Sequence, residues 1–180
     1  MHTLRISVGV VWVLFWIYWL ASARGVKAGK RGISGFPIRL IALVAVIALV
    51  RLVGIRTVAI HSLPVAVVGG AVFVCGLGLA VWARRQLGRN WGMPMSRKDE
   101  PELVTTGPYR LVRHPIYSGL LLGLLGSALT VSLIGLVVVL AAGAYFYYAA
   151  RVEETNLADS MPEAYPAYRA RTKMLIPYVL

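Results

Sequence analysis

Residues 118–150 read SGLLLGLLGSALTVSLIGLVVVLAAGAYFYYAA, thirty-three consecutive residues without a formal charge. A helix needs about 20 apolar residues to cross a bilayer. The stretch is therefore long for one upright span and short for two spans with a full loop. Thr130 to Ser132 interrupts it near its middle, and Gly119, Gly123 and Gly126 recur at spacings that place them on one helical face. Small residues on a face let two backbones approach closely. The pattern predicts a tight helical hairpin packed through those glycines, with one long tilted helix as the alternative.

Outward from this stretch the same character continues. Apolar runs cover 6–21, 38–55 and 64 to about 83, the last opening on Pro64, a residue suited to a first helical turn. Ala66, Gly70, Gly76 and Ala80 give that run a small-residue face. With the hairpin, these runs predict an all-α, polytopic integral membrane protein of about five transmembrane helices. Composition agrees: 58% of the residues are hydrophobic and 14% charged, and mean hydropathy is +0.71. An ordinary soluble domain is about 45–50% apolar and about 25% charged. Intrinsic disorder, a collagen-like repeat and a soluble cytosolic domain are excluded.

The chain carries 19 basic and 7 acidic residues. A net charge of +12 can mark a nucleic-acid binder, but its distribution argues for a membrane. Sixteen of the basic residues lie in 22–39, 84–117 and 151–180, and all seven acids follow residue 98. Placing those three segments in the cytoplasm satisfies the positive-inside rule. The N-terminus is then outside, the C-terminus inside, and the polar break at 56–63 faces outward. No nucleic-acid partner is expected. Ala21-Ser22-Ala23 has the form of a signal-peptidase site, but only Arg5 charges the preceding segment, and the aromatics Trp12, Phe15, Trp16, Tyr18 and Trp19 suit a retained anchor. The single cysteine, Cys75, sits in an apolar run and reads as a packing residue. Zinc spacings are absent. The arginine-rich, Ala/Val/Gly-rich composition suits high-GC bacterial coding, hence a bacterial inner membrane. The chain divides into 1–63, a two-helix membrane segment, and 64–180, which holds every cluster of chemical interest.

Two such clusters stand at membrane boundaries. Thr106 to Gly119 begins with the turn signal Gly107-Pro108 and then crowds Tyr109, Arg110, Arg113, His114 and Tyr117 together. Pro115 keeps His114 out of helical geometry. The second cluster is Arg151-Val152-Glu153-Glu154, directly after the hairpin. Paired carboxylates at a membrane edge need partners, and Arg110, Arg113 or Arg151 can neutralise them. The bland alternatives are a basic interfacial loop with anchoring tyrosines and a helix end emerging into water.

Arg113-His114-Pro115-x-Tyr117-x-Gly119, then Glu153-Glu154-x-x-Leu157, Tyr165-x-x-Tyr168 and Leu175-Ile176-Pro177, preceded by Leu87-Gly88-Arg89-Asn90-Trp91, resemble the isoprenylcysteine carboxyl methyltransferase family. That family groups with phospholipid N-methyltransferases and some sterol reductases. The resemblance covers roughly residues 70–178 and departs at Met161-Pro162, where the family shows an aromatic-Gly pair. It implies S-adenosylmethionine bound at a cytoplasmic loop and C-terminal helix. His114 and Tyr117 match pocket positions, Glu153 and Glu154 the acidic pair that holds the cofactor, and Gly76 and Gly78 a Gly-x-Gly that lets it approach a helix. Arg151 corresponds to an arginine near the acceptor carboxylate.

Physical chemistry fits that assignment. Glu153 or Glu154 can hold an ammonium by charge-assisted hydrogen bonds. Tyr109, Tyr117 or Trp91 can face a sulfonium, and Arg110 or Arg113 can take a carboxylate. Methylating a carboxylate needs no base, whereas an amine or hydroxyl would need one, with His114 or Glu154 as candidates. The expected acceptor is lipophilic, a small molecule or a prenylated protein reached through membrane lipid. Two alternatives stand beside this: an NADPH-dependent membrane reductase of the same superfamily, and a non-enzymatic transport or assembly protein. Oligomeric state stays open.

Overall fold

The structure, a computed structural model, describes residues 2–22, 29–30, 60–91, 97–98 and 102–180. The apolar run 38–55 and most of loops 22–37 and 92–103 lie outside the described residues. Among the described residues five α-helices follow in order: α1 His2–Ser22, α2 Leu63–Leu87, α3 Pro115–Val131, α4 Gly135–Ser160 and α5 Ala164–Arg171. The described strands, Gly29–Lys30 and Arg97–Lys98, form one two-residue antiparallel ladder. Helices α1, α2 and α4 are long and apolar enough to cross a membrane, and α3 is a shorter apolar helix. The protein is an all-α polytopic membrane protein.

The stretch 118–150 is a hairpin rather than one helix. Helix α3 ends at Val131 and α4 begins at Gly135. The two run antiparallel: Gly135 lies against Ala128, Gly143 near Leu121, and Phe146 against Tyr117. Helix α4 continues to Ser160, a further ten residues past the apolar run. That extension carries Glu153 and Glu154 on helical backbone.

The glycine face of α3 turns to α2, not to its hairpin partner. A Cβ on Gly126 would lie 2.3 Å from the Phe73 nitrogen, and one on Gly119 2.6 Å from the Ala80 nitrogen. One on Gly76 would lie 2.4 Å from the Gly123 nitrogen. These backbones touch, and Thr130 ties them further by donating to the Gly126 and Ala66 carbonyls. Helix α1 adds an aromatic layer. Trp12 packs on Phe73 at 5.6 Å, and its Nε1 donates to Ser127 Oγ at 3.0 Å. In lipid, such packing and interhelical hydrogen bonds replace the hydrophobic effect as the cause of association.

Contacts fix which helix ends gather together. Arg84 of α2 donates to the Ser22 carbonyl of α1. Arg5 donates to the Ile60 carbonyl, and the Ile60 N–H reaches the Val131 carbonyl. Ser22, Leu87, His114 and Arg151 therefore share one end of the bundle, and Arg5, Ile60 and Val131 the other. Helix α2 closes on Gly88, whose φ of +54° favours a residue without a side chain.

Candidate active site

The site is built at the end of the bundle where α3 begins and the extension of α4 emerges. Pro115 occupies the first turn of α3, and His114, just before it, has φ −124° and ψ 60°. The imidazole is thereby turned back beside its own helix. It stacks on Tyr117 at 5.4 Å with ring planes 6° apart, and Tyr117 stacks on Phe146 of α4 at 4.7 Å. Three rings form a short column joining α3 to α4.

Glu153 and Glu154 are adjacent on α4, so their side chains point roughly 100° apart. The Tyr117 hydroxyl donates to Glu153 Oε1 at 2.6 Å. Arg113 Nε donates to Glu154 Oε1 at 2.6 Å. His114 stands between the two carboxylates, Nδ1 3.4 Å from Glu153 and Nε2 3.5 Å from Glu154. Burial alone would lower the His114 pKa, but hydrogen bonding and charge from both glutamates outweigh it, and the pKa is raised. Both carboxylates favour the protonated form of the ring.

A third wall comes from the C-terminal segment. Lys173 pairs with Val112 as a parallel bridge. The Arg113 and His114 N–H groups donate to the Lys173 and Met174 carbonyls at 2.8 and 3.0 Å. Ser118 Oγ donates to the Leu175 carbonyl at 2.5 Å. Arg113 also donates to the Thr172 and Arg169 carbonyls, and Arg169 Nε lies 3.6 Å from Glu154 Oε2. One buried carboxylate thus gathers Arg113, His114 and Arg169 from two separate segments. The Tyr168 hydroxyl donates to the Tyr109 carbonyl at 2.6 Å, and burial pushes the Tyr168 phenol up to about 12.

The two carboxylates differ in access. The Glu154 side chain is 3% exposed and that of Glu153 is 23% exposed. Of the residues expected from sequence, Arg113, His114, Tyr117, Glu153 and Glu154 come together here. Tyr109 is buried in the turn Gly107–Arg110, and its phenol is raised by burial first and then by neighbouring Tyr168 and Glu153. Arg151 is exposed and makes no side-chain ion pair among the described residues. Gly76 is occupied by its contact with α3, and a Cβ on Gly78 would meet nothing within 4 Å. Neither glycine joins the cluster in this arrangement. Arg169 and Phe146 were not singled out from sequence. Arg169 had a faint signal, its place directly after Tyr168; Phe146 was one aromatic among several.

Comparison with known proteins places these features. The sequence profile of the family described as phospholipid methyltransferase matches residues 65–163, more than half of the chain. The cobalt-zinc-cadmium resistance protein CzcN of Cupriavidus metallidurans is 39% identical over 104 residues, 56% of this chain and 48% of that protein. A methanethiol S-methyltransferase of a Pseudomonas species is 30% identical over 79 residues, 44% of this chain and 30% of that enzyme. The chain thus spans about half or less of the length of these curated relatives. The solved structure of the eukaryotic intramembrane Ras methyltransferase, an isoprenylcysteine carboxyl methyltransferase, shares the fold at a TM-score of 0.61 and 24% identity, covering 82% of this chain and 55% of that one. The chain belongs to the phospholipid methyltransferase family.

Proposed function

We propose that the chain is an integral membrane methyltransferase that uses S-adenosylmethionine to methylate a lipophilic acceptor. One observation carries the reading: a buried imidazole held between Glu153 and Glu154, at the end of a lipid-facing bundle and closed by the C-terminal segment. The donor set fits the cofactor. Glu153, the more accessible carboxylate, is the candidate for the ammonium group, while Glu154 is engaged in holding Arg113, His114 and Arg169. Tyr117 is covered on its faces by His114 and Phe146, which leaves Phe146 and Tyr109 as the aromatic candidates to face a sulfonium. Bound there, the cofactor supplies an electrophilic methyl group.

The chain's own residues restrict the acceptor. With both ring nitrogens facing carboxylates and its pKa raised, His114 is poorly suited to take up a further proton. An amine or hydroxyl acceptor would need a base. The arrangement favours an acceptor that arrives ionised, a carboxylate first and a thiolate second, with alignment and exclusion of water supplying the rate. Residues 64–180 carry the chemistry and 1–63 help to wall the acceptor's path from lipid. The positive-inside distribution puts the site in the cytoplasm and the N-terminus outside, in a bacterial inner membrane.

Calorimetric titration of the detergent-purified chain with S-adenosylmethionine, and in parallel with NADPH, tests the reading. Saturable binding of the first alone is the expected result. Binding of NADPH alone would make the chain a reductase, and binding of neither would remove the enzymatic assignment.

A further inference from the structure

Arg84 lies near the last turn of α2 and is 5% exposed. Its Nη1 donates to the Gly88 carbonyl at 2.9 Å and its Nη2 to the Ser22 carbonyl. Its guanidinium lies 4.5 Å from the centre of the Trp91 ring, which meets Trp19 edge-on at 5.9 Å. The Nε atom is buried and has no hydrogen-bond partner. No carboxylate pairs with Arg84 among the described residues; their ion pairs involving Arg113, His114 and Arg169 all lie at Glu153 and Glu154. Two carbonyls and an aromatic face do not neutralise a guanidinium, and a buried, uncompensated charge is costly. Glu154 shows how this chain treats buried charge where no ligand is needed: it surrounds it with counter-ions.

Arg84 also borders the candidate site. The buried Tyr109 phenol lies in the field of both Glu153 and Arg84. Both Arg84, which has no carboxylate partner among the described residues, and Glu153 of the His114 cluster therefore act on the same phenol. A guanidinium fork meets a carboxylate through paired N–H donors, of which Nε is one.

We infer that Arg84 is an anion-binding residue whose ligand is a carboxylate, delivered either by the amino-acid end of the cofactor or by the acceptor. The first source rests on the methyltransferase reading; the second does not require it. The helix-end bonds to Ser22 and Gly88 then hold the guanidinium ready, and Trp91 fixes its plane.

The test uses the full chain in detergent and two matched pairs of probes. S-adenosylhomocysteine carries the amino-acid carboxylate and methylthioadenosine lacks it; myristate and tetradecanol differ likewise at equal chain length. In the wild type, the carboxylate member of one pair is expected to bind about tenfold tighter than its neutral partner, and Arg84→Gln is expected to bring that ratio close to one. The pair affected names the source. No carboxylate preference in the wild type, or a preference unchanged in folded Arg84→Gln, overturns the inference. Should Arg84→Gln lose its monodisperse state, the wild type decides alone. The Nε resonance of 15N-labelled Arg84, identified by its absence in Arg84→Lys, moves on saturation with the preferred probe if the inference holds and stays fixed if it does not. Myristate preference without any nucleoside binding would sink the methyltransferase reading and leave this one standing.

Discussion

Pro115 fixes the backbone of His114 outside the helix and so delivers the imidazole between Glu153 and Glu154. Its pKa in the folded chain is raised above the 6.5 of an unperturbed histidine. The stability linked to that proton is complete below about pH 6.5 and is lost as pH rises through the raised folded value. The melting temperature of the wild type in detergent should therefore fall as pH rises above about 6.5, with His114→Gln giving a flatter profile; a wild-type curve that climbs there would contradict the raised pKa. Glu153 carries a separate prediction. Glu153→Gln should weaken S-adenosylmethionine binding by roughly 1.5–3 kcal/mol, the range for a hydrogen bond to a charged group. Unchanged calorimetric affinity in the folded variant would reassign the ammonium site. The motif residues were legible in sequence because their types are rare at a membrane boundary. Which glutamate faces outward was not, because adjacent helical positions differ only in where the neighbouring chain passes. The roles of Arg84 and Arg169 were hard to read for the same reason: they depend on Ser22 and Glu154, distant in sequence.

Among the elements, the contact of α2 with α3 is the most exacting. Replacing Gly126 by Ala would set a Cβ 2.3 Å from the Phe73 nitrogen and 2.5 Å from the Gly69 carbonyl oxygen, and neither backbone atom can move without the whole helix. Gly126→Ala should cost about 1–3 kcal/mol, the usual range for overpacking. Gly78→Ala, with nothing within 4 Å, is the control. Thermal unfolding of the two variants checks the difference, and equal melting temperatures would refute the close contact. The hairpin itself was readable by length arithmetic alone. The direction of its glycine face was not: spacing shows that Gly119, Gly123 and Gly126 share a side, but not which neighbour that side meets.

At the scale of the molecule, the described basic residues Arg84, Arg113 and Arg169 share one end of the bundle with the candidate site, and Glu154 joins that end to the C-terminal segment. Glu154→Gln should leave the helices intact but loosen residues 172–175. Faster amide exchange at Lys173 to Leu175, with helical content unchanged, is the expected signature, and unaltered exchange would deny Glu154 that role. Sidedness is checked by single cysteines in a Cys75→Ser background: Ser62→Cys and Ser160→Cys, at opposite ends of the bundle, should label from opposite faces of sealed vesicles. The parallel pairing of Val112 with Lys173 has a consequence for biosynthesis. A nascent chain whose α3 and α4 have already entered the membrane still lacks one wall of the candidate site. Under the proposed function it gains ligand-binding competence only when the segment after α5 has left the ribosome and folded back, so a chain stalled before Thr172 would be inserted but inert.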